Sequence, residues 1–194
     1  MIRDRDRSGW FGASDTGRIM GRWDTQTFRL WWMEKLGLRV NNFTTPAMMA
    51  GTYYEHRILD ALGIRKRDRR IKVYRYRLRV NLDGESDIIH EVKTHSSKEY
   101  KFPREHWMQC QVQMFAARKG CEIVAYQMTE EEYKNYFLPI DPGRITRIPV
   151  KRDDGWLEEE YLPNLITLRE CLKKGVVPDE DKRVGGGSKA RGPV

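Results

Sequence analysis

The spacing of apolar and polar positions divides the chain into helical and extended segments. Apolar residues recur at helical spacing in six segments and alternate, or run together briefly, in four others. Ser14 and Asp24 are predicted to cap the starts of two helices, and Gly37 is predicted to end one. Pro46 fits the first turn of a helix, and Pro163 should interrupt the last helix. The predicted helices cover residues 15–20, 28–38, 47–62, 104–120, 129–136 and 153–175, and the predicted strands cover 71–82, 88–94, 121–128 and 145–150.

This order of elements predicts an α/β fold, with a small mixed β-sheet flanked by α-helices. A chain of 194 residues is long enough for one ordinary domain with its own core, which we assign to residues 1–184. The last ten residues, GGGSKARGPV (185–194), are rich in glycine and are expected to form a disordered tail.

Composition narrows the class of protein. There is no apolar run long enough to span a membrane and no apolar stretch near the N-terminus, so a cytoplasmic protein is expected. The three cysteines are widely spaced and predict reduced thiols. The 36 basic and 28 acidic residues give a net charge of +8, which favours nucleic acid as a partner, although a basic protein without such a partner has the same composition.

The first two predicted strands form a hairpin with a charged face. Along the first strand, alternation places Arg75, Arg77 and Arg79 on the face opposite the apolar side chains, followed by Asp83. These arginines lead towards Asp83 and suit a groove that holds a DNA backbone, although a solvated sheet edge has the same pattern. A turn within NLDGESD then places Asp83 beside Glu91 on the returning strand.

Asp83, Glu91 and Lys93 on one pleated surface indicate metal chemistry. Two neighbouring carboxylates repel unless a cation lies between them, and hard oxygen ligands select Mg²⁺ or Mn²⁺. The backbone carbonyl of Val92 offers a further ligand, and Lys93 would face a phosphate or stabilise developing charge. A solvated hairpin with a charged outer face is the alternative interpretation. Asp87 is a rival acid, but it is too close in sequence to Glu91 to oppose it across a hairpin.

Two predicted helices each carry a polar residue on an apolar arc. Glu55 has Ile58 and Leu59 as helical neighbours, and Gln111 has apolar neighbours three and four residues away on both sides. An unpartnered carboxylate or amide in such a place is costly, so each is expected either to reach a functional group or to be a satisfied core residue. Gln109 and Gln113 are predicted to lie on other, solvated faces.

The ordered set of motifs resembles the PD-(D/E)XK nuclease superfamily. The set comprises GASDTGRIMG, a helical G-x-x-Y-E, D-G followed by E-V-K, and a glutamine-bearing helix that ends in glycine. It is similar to the lambda-exonuclease-like, YqaJ-type viral recombinases over residues 7–128. The resemblance implies a restriction-endonuclease-like core, with Asp83 and Glu91 as metal ligands, Lys93 as the catalytic lysine, Glu55 as a helper acid and further candidate ligand, and Gln111 lining the site.

The resemblance also implies a function and partners. It implies a 5′→3′ exonuclease that uses Mg²⁺ or Mn²⁺, with two ions, on double-stranded DNA ends in phage or prophage recombination. Ser14 and Arg7 would grip a terminal 5′-phosphate. A single-strand annealing protein and a trimeric ring are the partners that the family suggests. The alternatives are a structure-specific or restriction-like endonuclease and an inactive, metal-free DNA-binding protein on the same fold.

Overall fold

The computed structural model describes residues 8–185, which form one five-stranded sheet and the helices around it. Within these residues no helix is both long and apolar enough to cross a membrane. The α-helices are α1 (Thr16–Met20), α2 (Gln26–Lys35), α3 (Pro46–Ala61), α4 (Arg104–Ala117), α5 (Asp154–Trp156) and α6 (Leu162–Lys174), and the strands are β1 (Lys66–Val73), β2 (Leu78–Glu85), β3 (Ile89–His95), β4 (Cys121–Gln127) and β5 (Ile145–Val150).

The sheet is mixed, as the sequence predicts. Its strands lie in chain order, and every neighbouring pair is antiparallel except β3 and β4, which are parallel. Parallel neighbours need a crossover connection, and α4 supplies it. The catalytic candidates of the hairpin therefore lie on β2 and β3 in the middle of the sheet, beside the helix that returns the chain to β4.

The helix boundaries follow local capping chemistry. The Thr25 side chain accepts a hydrogen bond from the Phe28 amide and begins α2, so the prediction of Asp24 as that cap is off by one residue. Thr45 caps α3 in the same way, with Pro46 in the first turn as predicted. Gly37 has a φ of +73° just after α2, the left-handed conformation expected of a glycine at a helix end.

The predicted single strand over 71–82 is wrong, because the chain reverses within it. β1 ends at Val73, a 3₁₀ turn follows at Tyr74–Tyr76, and β2 begins at Leu78. Arg77 has a φ of +51° in this connection, so the alternation that put three arginines on one face is broken. Periodicity alone did not reveal the reversal, since no glycine, proline or asparagine marks the turn.

Two clusters of buried apolar side chains hold the helices on the sheet. The larger contains all three aromatic residues of α2 together with side chains of β2, α4 and α6, including Phe28, Leu78, Val112 and Leu165. The smaller joins α3 to β3 and β4. The buried face of α3 thereby brings Glu55, which follows the fully buried Tyr54, against the strand that carries Glu91 and Lys93.

Of two further helix predictions, the one at 129–136 is wrong and the interruption of the last helix is confirmed. The helix predicted at 129–136 is absent from the described structure, where this segment forms turns held by the Glu132 side chain, which accepts from the Thr129 amide. The last helix is interrupted as predicted: a π-helical stretch, Leu157–Tyr161, separates α5 from α6 just before Pro163. Of the predicted tail, residues 186–194 lie outside the described residues.

Candidate active site

Asp83 and Glu91 face one another where β2 and β3 part. The ladder between these strands pairs Gly84 with His90 and Glu85 with Ile89, so Asp83 and Glu91 come next on the two strands. Instead of a further backbone pair, the Asp83 carboxylate accepts a hydrogen bond from the Val92 amide at 2.9 Å. The side chain thus fills the gap between the strands, and Asp83 lies beside Glu91 as the sequence predicts.

Lys93 joins this group as a permanent cation. Its Nζ lies 2.6 Å from Glu91 Oε1, and the Glu91 side chain is 2% exposed. Burial opposes the charge, but the negative charges of Glu91 and Asp83 outweigh it and raise the pKa of Lys93 above its ordinary value. This shift favours the protonated form of Lys93, which can donate hydrogen bonds to an anion.

Glu55 contributes a third carboxylate from α3. Burial, followed by the charges of Glu91 and Asp68, raises the pKa of Glu55 to about 7. Burial and the charges of Glu91 and Glu55 likewise raise the pKa of Asp83 well above its usual range. Neighbouring carboxylates raise one another's pKa because their negative charges repel. Groups with such shifted pKa values often lie at functional sites.

Two glutamines of α4 hold Glu91, and neither of them is Gln111. Gln109 donates to Glu91 Oε1 and accepts from Lys93 Nζ, while Gln113 is fully buried and donates to Glu91 Oε2. Gln111 lies about 200° around the helix from both, and its amide bonds the Lys151 carbonyl and the Asp153 amide instead.

The glutamine prediction is therefore corrected. The expectation that Gln109 and Gln113 are solvated is wrong, and Gln111 is a satisfied core residue that does not line the carboxylates. A sequence signal was present: two amides spaced i, i+4 on one helix form a matched polar pair on a single face. The apolar neighbours of Gln111 pointed to burial, which is right, but not to this site.

A second group of candidate ligands lies next to Glu55. Ligand atoms of Glu55, His56 and Asp68 lie within 4.8 Å of one another, and His56 Nε2 is 3.0 Å from Asp68 Oδ2. Asp68 lies in β1 with a φ of +53°, between residues that pair with Leu82 and Gly84, so it lies beside Asp83 in the sheet. Sequence reasoning identified neither His56 nor Asp68, and Asp68 was missed because β1 was not recognised as a separate strand.

The N-terminal segment is positioned by Asp15 rather than by Ser14. The buried Asp15 carboxylate accepts hydrogen bonds from the Gly12 amide, from Trp31 Nε1 and from Lys35 Nζ. Ser14 is exposed within the 3₁₀ turn Ala13–Asp15, so its prediction as the helix cap is wrong. Arg7, the other residue predicted to bind a terminal phosphate, lies outside the described residues.

The arginines predicted to line a DNA groove do not share an exposed face. Arg75 is exposed in the turn after β1, Arg77 adopts the left-handed conformation beside it, and Arg79 is 6% exposed. The cations of β1 are the more accessible ones, and two of them are paired with acids: Arg67 with Asp60 and Arg69 with Glu85.

The donor set of the site fits a hard divalent cation. Its candidate ligand atoms are carboxylate oxygens and the Val92 carbonyl, the oxygens that Mg²⁺ and Mn²⁺ prefer. The Val92 amide donates to Oδ2 of Asp83, and Oδ1 is the candidate ligand atom of this carboxylate. Burial and the neighbouring carboxylate charges raise the pKa values of Asp83 and Glu55, and a cation bound between these acids would remove the part that comes from charge repulsion.

Comparison with known proteins supports the fold at low sequence identity. No family model matches the chain, and no curated protein matches it. Among solved structures, the fold is similar to that of an alkaline exonuclease (LHK-Exo) from Laribacter hongkongensis, with a TM-score of 0.65, 18% identity, and coverage of 87% of this chain and 90% of that one. SSO0001 matches with a TM-score of 0.49 and 14% identity over 90% of this chain and 78% of that one. The predicted α/β fold class is thus confirmed.

Proposed function

We propose that this chain is a metal-dependent nuclease that digests double-stranded DNA from its ends. The observation that carries the proposal is the meeting of Asp83, Glu91 and Glu55 with the protonated Lys93, where the central strands β2 and β3 part. The similarity of the fold to a protein described as an alkaline exonuclease supports the choice of an exonuclease. A 5′→3′ direction, a role in phage or prophage recombination, an annealing-protein partner and a ring of subunits are the finer parts of this proposal, and they rest on the motif resemblance.

Divalent ions would be held by the oxygens of the parting strands. Asp83, Glu91 and the Val92 carbonyl form one candidate position, and Glu55 with His56 and Asp68 forms a second, so that Glu55 lies between the two. When bound, such ions supply Lewis-acid stabilisation of the charge that develops on a phosphodiester during hydrolysis.

The chain's own residues orient the site and donate to the phosphate. Gln109 and Gln113 fix the Glu91 carboxylate from α4, and the bond from the Val92 amide fixes Asp83. Lys93 holds its proton at Nζ beside Glu91, from where it can donate to a phosphate oxygen as negative charge accumulates there.

Digestion of matched linear and circular DNA tests the proposal. A 3′-end-labelled linear duplex in Mg²⁺ should be shortened progressively from its 5′ ends, and a covalently closed circle of the same sequence should persist. Cutting of the circle would favour an endonuclease on the same fold. Digestion of neither substrate with Mg²⁺ or Mn²⁺, together with retained duplex binding, would instead favour an inactive DNA-binding protein.

Lys93→Ala is the sharpest single variant. Loss of one positioned donor to developing charge typically costs about 10²–10³ in rate, so digestion of the linear duplex should fall by that factor while duplex binding is largely kept. Lys98→Ala is the matched control, since Lys98 is an exposed lysine in the loop after β3. Digestion by Lys93→Ala within about tenfold of the Lys98→Ala rate would remove Lys93 from the mechanism.

A further inference from the structure

A second constellation of catalytic residue types lies at the turn between β2 and β3. Ser86 is exposed in this turn, and its Oγ lies 2.8 Å from His90 Nε2. The other ring nitrogen, Nδ1, lies 2.7 Å from Glu122 Oε1 on β4. His90 and Glu122 are 3% and 5% exposed, and neither belongs to the carboxylate site described above.

The partners of Glu122 indicate the direction of the hydrogen bonds along this row of side chains. Arg147 donates charge-assisted hydrogen bonds to Glu122 Oε1 from Nε at 3.1 Å and from Nη2 at 2.8 Å. An ionised carboxylate can only accept hydrogen bonds, so His90 Nδ1 carries a proton and donates it. In the neutral ring Nε2 is then the acceptor, and the Ser86 hydroxyl donates to it. This is the order of nucleophile, general base and orienting acid that activates a serine.

Ser86 is accessible to a substrate, whereas a serine with a purely structural role could equally be buried in the core. The hydroxyl is on an exposed turn, so a substrate can approach it. Lys119 Nζ lies 2.6 Å from the Ser86 carbonyl oxygen and 2.5 Å from Glu85 Oε1. These two bonds hold the backbone of the turn that carries Ser86 in place. The alternative interpretation is that Ser86 only satisfies the hydrogen-bonding needs of the buried His90 ring. That structural role would not require the serine to be exposed.

We propose that Ser86 is an activated nucleophile that accepts an acyl group from an activated ester. Ser86 Oγ attacks the carbonyl carbon and forms a C–O bond while its proton passes to His90 Nε2. The tetrahedral oxyanion then collapses, the bond from carbon to the leaving oxygen breaks, and His90 returns the proton to that oxygen. The products are acyl-Ser86 and the free alcohol. This proposal does not depend on the proposed nuclease chemistry, because it uses different side chains.

The test uses p-nitrophenyl acetate with the full chain. Release of p-nitrophenol is followed in time, and the acetylated residue is located by peptide mass spectrometry. Ser97 serves as the internal reference, since it is an exposed serine in the loop after β3. General-base assistance contributes about 10²–10⁴ in rate, so Ser86 should be acetylated at least about 10²-fold faster than Ser97. Ser86→Ala should abolish the fast acetylation, and His90→Gln should reduce that at Ser86 to the Ser97 rate.

Acetylation of Ser86 no faster than of Ser97, or acetylation confined to lysines, would overturn the proposal. This comparison is made within the unaltered protein, so it decides the matter even if His90→Gln fails to fold. Digestion of linear DNA by Ser86→Ala should equal that of the unaltered protein. The two proposals therefore fail independently: loss of acetylation leaves the nuclease assay unaffected, and a silent nuclease assay leaves the acetylation result standing.

Discussion

At the scale of single residues, the site depends on how Glu91 is held. Gln113 donates to one of its oxygens, and Lys93 and Gln109 donate to the other. A carboxylate with donors on both oxygens is fixed in orientation, and hydrogen bonds to charged groups are stronger than neutral ones. The positions of the ligand oxygens are therefore set by α4 as much as by the strands.

Gln113→Ala tests this dependence against a matched glutamine. Removing a hydrogen bond to a charged group costs about 1.5–3 kcal/mol, which corresponds to a loss of roughly 10- to 100-fold in digestion rate. Gln111→Ala removes an equally buried amide that bonds the Lys151 carbonyl and the Asp153 amide, so it should lower the melting temperature but spare activity. A loss of activity in Gln111→Ala alone, at equal stability, would restore the assignment made from the sequence.

Glu55 should make the metal-free protein less stable at high pH. Its pKa is raised to about 7, so the folded state binds its proton more tightly than the unfolded chain does. The unfavourable contribution is absent below the ordinary pKa near 4.5 and is fully present above about 7. With chelator present, Glu55→Gln should therefore raise the free energy of unfolding at pH 8, by roughly 1–2 kcal/mol after allowance for solvent screening, and should leave it unchanged at pH 4.

The control for this measurement is Glu158→Gln, which alters an exposed glutamate of the last helical region. Denaturant unfolding of the three proteins at the two pH values gives the comparison. Equal free energies of unfolding for Glu55→Gln and the unaltered protein at pH 8 would show that the ionised Glu55 carboxylate does not destabilise the fold. Adding Mg²⁺ should stabilise the unaltered protein at pH 8 and stabilise Glu55→Gln less, because binding to the folded state adds to its stability.

At the scale of elements, the long helices and the strands β3 to β5 could be predicted from the sequence, and the β1–β2 connection could not. Proline and threonine at the start of α3 and alternating or continuous apolar runs in β3 and β4 are local signals. The reversal at Tyr74–Tyr76 is built from residues that carry no turn signal, with Arg77 in the left-handed region. There the partner strand, rather than local preference, sets the conformation.

The site was predictable where it depends on neighbouring strands and less so where it depends on the helix. Asp83, Glu91 and Lys93 follow from the register of a tight hairpin, and the structure brings them together as predicted. Which glutamine reaches Glu91 depends on the rotation of α4 about its axis. That rotation is set by tertiary packing, and the alternative choices differ by only two residues in sequence.

Two helices end in the left-handed conformation, one with an arginine and the other with a glycine, and this difference gives a prediction. The helix α4 ends with the exposed Arg118 at a φ of +57°, and α6 ends with Gly175 at +68°. A residue with a Cβ in the left-handed region costs about 1 kcal/mol relative to glycine. Arg118→Gly should therefore stabilise the fold by about that amount, and Gly175→Ala should destabilise it similarly in denaturant unfolding. Opposite signs would contradict the conformations of these two caps.

At the scale of the whole molecule, the charge of +8 sits partly on an open sheet edge. β1 is an edge strand that includes Lys66, Arg69 and Lys72 on exposed positions and follows the exposed Arg65. Cations on an edge strand discourage pairing with another chain. The same edge adjoins β2, which carries Asp83, so a DNA backbone drawn to it would lie close to the proposed active site.

Salt dependence of duplex binding can separate these two uses of the edge. Each cation that neutralises a phosphate contributes about −0.9 to the slope of log affinity against log salt concentration. If Arg65 and Lys66 contact DNA, the double variant with both changed to Gln should bind more weakly and make the slope shallower by about 1.8. Lys173 and Lys174, in the last turn of α6, give the matched control, and their change to Gln should leave the slope unaltered. Binding is measured in Ca²⁺ on a labelled duplex, with melting curves to confirm that all variants fold. Equal slopes for the two double variants would mean that the charge of β1 protects the edge of the sheet and that DNA approaches the carboxylates from another side.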